Sequence, residues 1–156
     1  MGKSLVVYYS LFGMTKKVAV EIASQTEGYI IRLQPEKEYS FDYNTAAKEA
    51  RNQIDRGYCP KLLNEKVDIS QYDTVFLGTP NWFKRMAPPV LSFLRTYDLS
   101  NKQIIPFCTH GGGGMGEIEN EIRNECQKSR VLIGIAIRDE EISEIIAVYL
   151  KNNSVS

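Results

Sequence analysis

The chain has 156 residues, 43% hydrophobic and 24% charged, which suits one packed domain and excludes collagen, coiled coil and general disorder. Lys plus Arg equals Asp plus Glu at 19 each, so no global field draws the protein to nucleic acid or to an anionic membrane. No apolar run approaches the roughly 20 residues of a transmembrane helix, and the first residues lead straight into a strand-like run rather than a signal peptide. Cys59, Cys108 and Cys126 are widely spaced with no Cys-x-x-Cys, a pattern expected in a reducing cytoplasm and not in a disulfide framework or a zinc site.

Leu5-Val6-Val7-Tyr8-Tyr9 is a continuous apolar run, as in a strand buried on both faces. After the turn Ser10-Leu11-Phe12-Gly13, residues Met14, Val18, Ala19, Ile22 and Ala23 repeat at helical spacing, and Gly28 is expected to close that helix. Tyr29 to Leu33 reads as a second strand, and Pro35 to Tyr43 as a polar and aromatic loop. Tyr43, Ala46, Ala47, Ala50 and Ile54 share a helix face that ends near Gly57 and Pro60. Thr74 to Gly78 is a third strand, followed by the loop Thr79 to Met86 and a helix opened by Pro88-Pro89. Gln103 to Cys108 is a fourth strand, with Pro106 anomalous inside it. The glycine loop Thr109 to Gly116, a helix carrying Ile118, Ile122 and Cys126, a fifth strand from Val131 to Ile137 and a last helix around Ile142 to Leu150 complete the order.

Strand–helix alternation of this kind requires a parallel sheet covered on both faces. Right-handed crossovers favour a doubly wound α/β sheet of five strands in the order 2-1-3-4-5, one domain over residues 1–156. Ligands of such sheets bind beyond the carboxyl ends of the strands at the switch point, here the loops Ser10–Thr15, Thr79–Met86 and Thr109–Gly116. The first offers backbone N–H groups and hydroxyls at a helix start, suited to a phosphate or simply to capping. The second places Trp82 beside Phe83, as a stacking platform for a planar ring or as a hydrophobic cover over the sheet end. The third lets backbone approach a ligand closely. It matches Gly-x-Gly-x-x-Gly at Gly111, Gly113 and Gly116, but after the fourth strand rather than the first, which argues against a dinucleotide fingerprint. No Gly-x-x-x-x-Gly-Lys-Ser/Thr loop and no Gly-x-Ser-x-Gly elbow occurs.

Together, Leu5-Val6-Val7-Tyr8-Tyr9-Ser10 with Gly13 and Thr15, then Phe76-Leu77-Gly78-Thr79-Pro80-x-Trp82, then Pro106-Phe107-Cys108-Thr109-His110-Gly111-Gly112 resemble the flavodoxin-like FMN-binding family. Pro35 to Ser40 with Asp42-Tyr43-Asn44 resembles its short-chain branch. The resemblance implies a flavodoxin-like fold with FMN as cofactor. Its phosphate would be held by Ser10, Leu11, Phe12, Gly13, Met14 and Thr15. Pro80, Asn81, Trp82, Phe83 and Lys84 would line the isoalloxazine, and Thr109, His110, Gly111 and Gly112 would border the pyrimidine side. Phe12 stands where the family usually has a hydroxyl residue, and Met14 where it often has Asn, so one phosphate donor is missing. Asn81 replaces an apolar residue.

Three readings of the activity follow. In the first, the protein is an FMN oxidoreductase that takes electrons from a reduced donor such as NAD(P)H and passes them to a small acceptor such as a quinone. In the second, it is a one-electron carrier docking to redox proteins. Carriers of this type resemble strongly acidic proteins, whereas this chain has zero net charge and places Lys84 and Arg85 near the expected flavin edge. In the third, Phe12 and Met14 have closed the phosphate loop and the scaffold is a flavin-free binding domain. All three leave a homodimer open and place the protein in the cytoplasm.

Overall fold

The run Leu5–Tyr9 is central in the sheet, its side chains alternating between two cores. In the computed structural model, which describes residues 3–138, 141–153 and 155, Leu5, Val7 and Tyr9 face one apolar cluster and Val6 and Tyr8 the other. Strand β1 (Lys3–Tyr8) pairs in parallel with β2 (Tyr29–Arg32) and β3 (Tyr72–Pro80), and β3 pairs with β4 (Gln103–Thr109). Beyond β4 lie β5 (Arg130–Val131) and β6 (Ile135–Ile137), so the sheet runs β2-β1-β3-β4-β5 with β6 also on β4. Helices α1 (Met14–Thr26) and α5 (Ile142–Asn152) cover one face. Helices α2 (Tyr43–Asp55), α3 (Pro88–Thr96) and α4 (Ile118–Glu125) cover the other. No described helix is long and apolar enough to cross a membrane.

The fifth strand departs from expectation. Instead of running unbroken from Val131 to Ile137 it is split into β5 and β6. The cause is Pro106, which pairs with Leu77 on the β3 side. The Ile104 carbonyl faces β5 and accepts the Leu132 N–H at 2.9 Å, so Pro106, two residues on, faces the same way and has no N–H to offer. The break falls opposite it, and Gly134 brings backbone against the Pro106 carbonyl. A second difference concerns the end of α1. Glu27, at φ 54°, takes the left-handed capping conformation rather than Gly28. Gly28 serves close packing instead, since a Cβ there would lie 3.2 Å from the Ser4 carbonyl oxygen. Helix α2 starts where the Asp42 carboxylate accepts the Thr45 N–H at 3.0 Å, a side-chain N-cap.

Candidate functional site

The three expected loops meet at the carboxyl end of the sheet and are tied together by named bonds. Loop 1 turns at Gly13, whose φ of 98° is open to glycine and costly for other residues, and its N–H donates to Ser10 Oγ at 3.1 Å. The next N–H groups, those of Met14, Thr15 and Lys16, open α1 with no side-chain cap and no acceptor inside the helix. Such a terminus attracts an anion. Two hydroxyls sit in it, Ser10 and Thr15, both buried. Ser10 Oγ accepts from Gly13 and keeps its own O–H to donate. Thr15 Oγ1 lies 2.7 Å from Thr109 Oγ1 of loop 3, and a pair of hydroxyls sharing one hydrogen bond has one O–H to spare. Phe12 is 57% exposed and Met14 37%, and space above Gly13 is open, so neither bulky side chain fills the cradle.

Loop 2 is a two-residue hairpin. Trp82 and Arg85 exchange backbone hydrogen bonds at 3.0 and 2.9 Å, and the residues between, Phe83 and Lys84, have φ of 56° and 66°. Positive φ at both central positions is the geometry that Asn-Gly usually fills. Holding it with Phe-Lys costs about 1–3 kcal/mol per residue and persists only where the surroundings enforce it. Here they do. Asn81 Oδ1 accepts the Lys84 N–H at 2.8 Å, the Lys84 carbonyl accepts the Glu117 N–H at 2.8 Å, and Glu121 takes the Met86 N–H at 2.8 Å and Arg85 Nε at 2.7 Å. Gly116 lets the turn seat, because a Cβ there would meet the Lys84 backbone at 2.8 Å. Loop 2 is also stitched to loop 3: the Asn81 N–H donates to the Thr109 carbonyl at 2.8 Å and its Nδ2 to the Gly114 carbonyl at 2.7 Å.

The sequence-derived residues fall mainly into two groups, a cleft and a cradle, with Pro80, Lys84 and His110 to Gly112 outside both. Leu11, Phe12, Asn81, Trp82 and Phe83 share a cleft of about 170 Å³. Ser10, Gly13, Met14 and Thr15 form the anion cradle beside it, joined to loop 3 through Thr109. Pro80 ends β3 opposite Thr109. Lys84 is exposed at the hairpin tip. His110, Gly111 and Gly112 stand apart from the cleft walls; His110 Nδ1 accepts the Gly112 N–H at 3.0 Å, shaping its own loop. The remaining walls are Tyr43, Ala46, Ala47 and Ala50 of α2, whose spacing predicts only a helix face. Their signal was small residues at one, three and four positions' spacing beside an aromatic, on the helix that follows the Pro35–Tyr43 loop.

Trp82 is part cleft wall and part cover. Its ring meets Tyr39 edge-on at 4.9 Å between centroids and Tyr9 at 5.7 Å, pairs that each contribute about 0.5–1.5 kcal/mol beyond burial. Behind them, Tyr9 hydrogen-bonds Glu38, while Arg32 bridges Glu38 at 3.2 Å and the Ser10 carbonyl at 2.9 Å. Glu38 of the loop after β2 thereby braces loop 1 through Arg32. Burial, reinforced by the bond to Glu38, pushes the Tyr9 hydroxyl far up, so it stays protonated. Burial likewise pushes the Cys108 thiol up to about 12, with the charge of Glu119 adding to it. A thiol so raised is a poor nucleophile, and Cys108 packs as a small apolar residue.

A family model described as flavodoxin matches residues 3–153. The chain belongs to the flavodoxin family. Among solved structures, a protein from Bacteroides uniformis provisionally described as a flavoprotein superposes with a TM-score of 0.88 at 25% identity, over 96% of this chain and 98% of that one. A flavoprotein from Lactobacillus acidophilus in complex with FMN gives 0.77 at 25% identity, over 89% of this chain and 94% of that one. Flavodoxin 2 from Bacillus cereus gives 0.59 at 19% identity, over 97% of each, and shares the fold.

Proposed function

We infer that this flavodoxin-family chain binds FMN at its three loops and is an oxidoreductase that takes electrons from a reduced donor such as NAD(P)H and delivers them to a small acceptor such as a quinone. The carrying observation is the uncapped start of α1, with two buried hydroxyls each able to supply a hydrogen, tied by Thr15–Thr109 and Asn81 to an aromatic loop. Those donors fit a phosphate, and the relative solved with FMN supports the same cofactor. Bound FMN supplies the redox chemistry, and the residues hold and orient it. Ser10, Thr15 and the N–H groups from Leu11 to Thr15 would take the phosphate. Pro80, Asn81, Trp82, Phe83 and Lys84 would line the ring, and Thr109 to Gly112 would border its polar edge. The exposure of Phe12 and Met14 supports an open phosphate loop over a closed, flavin-free one.

Charge favours the enzyme over the carrier. Lys84 stands at the hairpin tip, where a cation stabilises negative charge on a reduced cofactor and so raises its potential. A low-potential carrier gains nothing from that. The reading treats residues 1–156 as one unit in the cytoplasm, alone or as a homodimer, acting on small molecules rather than nucleic acid or membrane. Its test is anaerobic titration of the FMN-loaded protein with dithionite, followed by mixing with a quinone. We expect uptake of two electrons in one step and rapid stoichiometric reoxidation by the quinone. Two resolved one-electron steps with sluggish quinone reoxidation would select the carrier instead.

A further inference from the structure

We propose that the cleft walled by the chain between α2 and β3 is a ligand site separate from the three loops, and that it takes a small carboxylic acid with a compact apolar body. Residues 56–71 form no helix and no strand beyond an isolated bridge from Leu62 to Pro35. Irregular connections longer than about 12–15 residues are uncommon in compact domains and, when ordered, are commonly functional. This one is strapped on both sides. Towards β2, the Lys61 carbonyl accepts the Glu36 N–H at 2.7 Å and the Leu63 N–H donates to the Gln34 carbonyl at 2.7 Å. Asn64 Nδ2 donates to the Arg32 carbonyl at 2.8 Å. Towards α3, the Pro60 carbonyl accepts the Ser92 hydroxyl at 2.6 Å, and the Val67 N–H donates to the Tyr97 hydroxyl at 3.1 Å. The gap between the straps is held open by these bonds rather than left by loose packing.

Its volume is about 350 Å³, more than twice the roughly 150 Å³ that admits benzene, so a ring with a short acid arm fits. Ile31 and Leu33 on one side and Leu62 and Val67 on the other give it apolar walls, which take a hydrocarbon body out of water. No residue of Ser10–Thr15, Thr79–Met86 or Thr109–Gly116 lines it, and it shares no wall with the Trp82 cleft.

Charge selects the head group. The wall carries Lys61, Lys66 and Arg95 against Glu65. Glu36 takes Lys61 at 3.6 Å, whereas Lys66 has no ion pair among the described residues. Arg95 is the directional group. Glu125 accepts its Nε–H at 2.6 Å and so fixes the guanidinium, while Cys59 Sγ takes one Nη1 N–H at 3.6 Å. Three of the five guanidinium N–H groups stay free, on both Nη atoms, and a fork held in place in this way matches a carboxylate. Tyr97 lies on the same wall; its hydroxyl accepts from Val67 and keeps its own hydrogen to donate. A few polar groups converging on an apolar cleft are the ordinary form of a small-molecule site.

Cys59 makes occupancy readable, because it lines the cleft and is only half-buried. Cys108 and Cys126 are buried, with thiols that burial pushes up to about 12 and about 11, so N-ethylmaleimide near neutral pH reports on Cys59. The test titrates 3-phenylpropionate into the whole protein and measures the maleimide rate at Cys59 by peptide mass. Each variant is referred to its own ligand-free rate. A saturable fall of about five-fold or more is expected in the wild type, with the neutral 3-phenylpropanamide needing about ten-fold higher concentration. Arg95→Gln should weaken the acid about ten-fold or more and leave the amide within about two-fold. Lys66→Gln changes an exposed side chain without disturbing the packing, and should weaken the acid about two- to three-fold. A molecule seated in the cofactor loops would not shield Cys59. The absence of saturable protection in the wild type overturns the proposal, as does equal protection by the acid and the amide. Acid affinity unchanged in both variants overturns it too, because the carboxylate is then not held by these cations.

Discussion

Replacing Gly134 with alanine is expected to destabilise the protein by about 3 kcal/mol, at the upper end for overpacking, and to lower Tm by roughly 6–12 °C. A Cβ at this position would stand 2.1 Å from the Pro106 carbonyl oxygen and 2.8 Å from its carbon, and both are backbone atoms that no rotamer can move. The strain relaxes only if the chain between β5 and β6 parts from β4. That movement reaches the functional end, because β6 pairs Ile135 to Ile137 with Phe107 to Thr109 and the Ile137 carbonyl accepts the His110 N–H at 3.1 Å. Loop 3 would lose its anchor. Gly111→Ala is the matched control: nothing lies within 4 Å of its Cβ position, so a change within about 0.5–1 kcal/mol is expected. Thermal or urea unfolding of both variants checks the contrast. Equal stabilities would mean that Gly134 does not approach β4 so closely.

The second large effect is on cofactor affinity. Thr15→Val keeps the side-chain shape but removes the hydroxyl that pairs with Thr109 at 2.7 Å. Without it, the O–H that the pair has to spare belongs to Thr109 of loop 3 and no longer stands in the first turn of α1 beside the free N–H groups. One hydrogen bond to a charged group contributes about 1.5–3 kcal/mol, so the FMN dissociation constant should rise about 10- to 150-fold. Thr109 keeps its hydroxyl but loses its partner, which adds a stability cost of about 1 kcal/mol. Lys16→Ala is the counterpart. Lys16 is exposed on the helix, and loss of a solvated charge there should change affinity by less than about five-fold. If Thr15→Val binds FMN as the wild type does, the phosphate is not on this cradle.

Much of the fold was legible because its signals are local. Five apolar residues in a row at Leu5–Tyr9, helical spacing from Met14 to Ile22, and Pro88-Pro89 at a helix start each state an element without reference to the rest of the chain. The split fifth strand was not legible, because it is set by a proline in a neighbouring strand rather than by residues 132–134 themselves. The helix cap at Glu27 is hidden for a similar reason: Gly28 is needed for its approach to Ser4 and Val6 of the neighbouring strand β1, a contact distant in sequence. At the site, the three loops were legible from topology alone, since a switch point follows from strand order. The hairpin was not. Nothing in Phe-Lys announces positive φ at both residues, which bonds from Asn81, Glu117 and Glu121 impose. The alanine floor was equally hidden, for Ala46 and Ala50 read as core until loop 1 and the hairpin are placed opposite them.

The central claim is that the start of α1 holds the phosphate of FMN. The measurement that bears on it most directly is a paired titration of the flavin-free protein with FMN and with riboflavin, which lacks the phosphate, following Trp82 fluorescence and flavin absorbance. The account predicts micromolar or tighter binding of FMN, about −8 kcal/mol or better, and riboflavin binding weaker by about 100-fold or more. Equal affinity for the two flavins would contradict it by showing that the cradle carries no anion, and a protein that takes up neither would remove the cofactor from the account altogether.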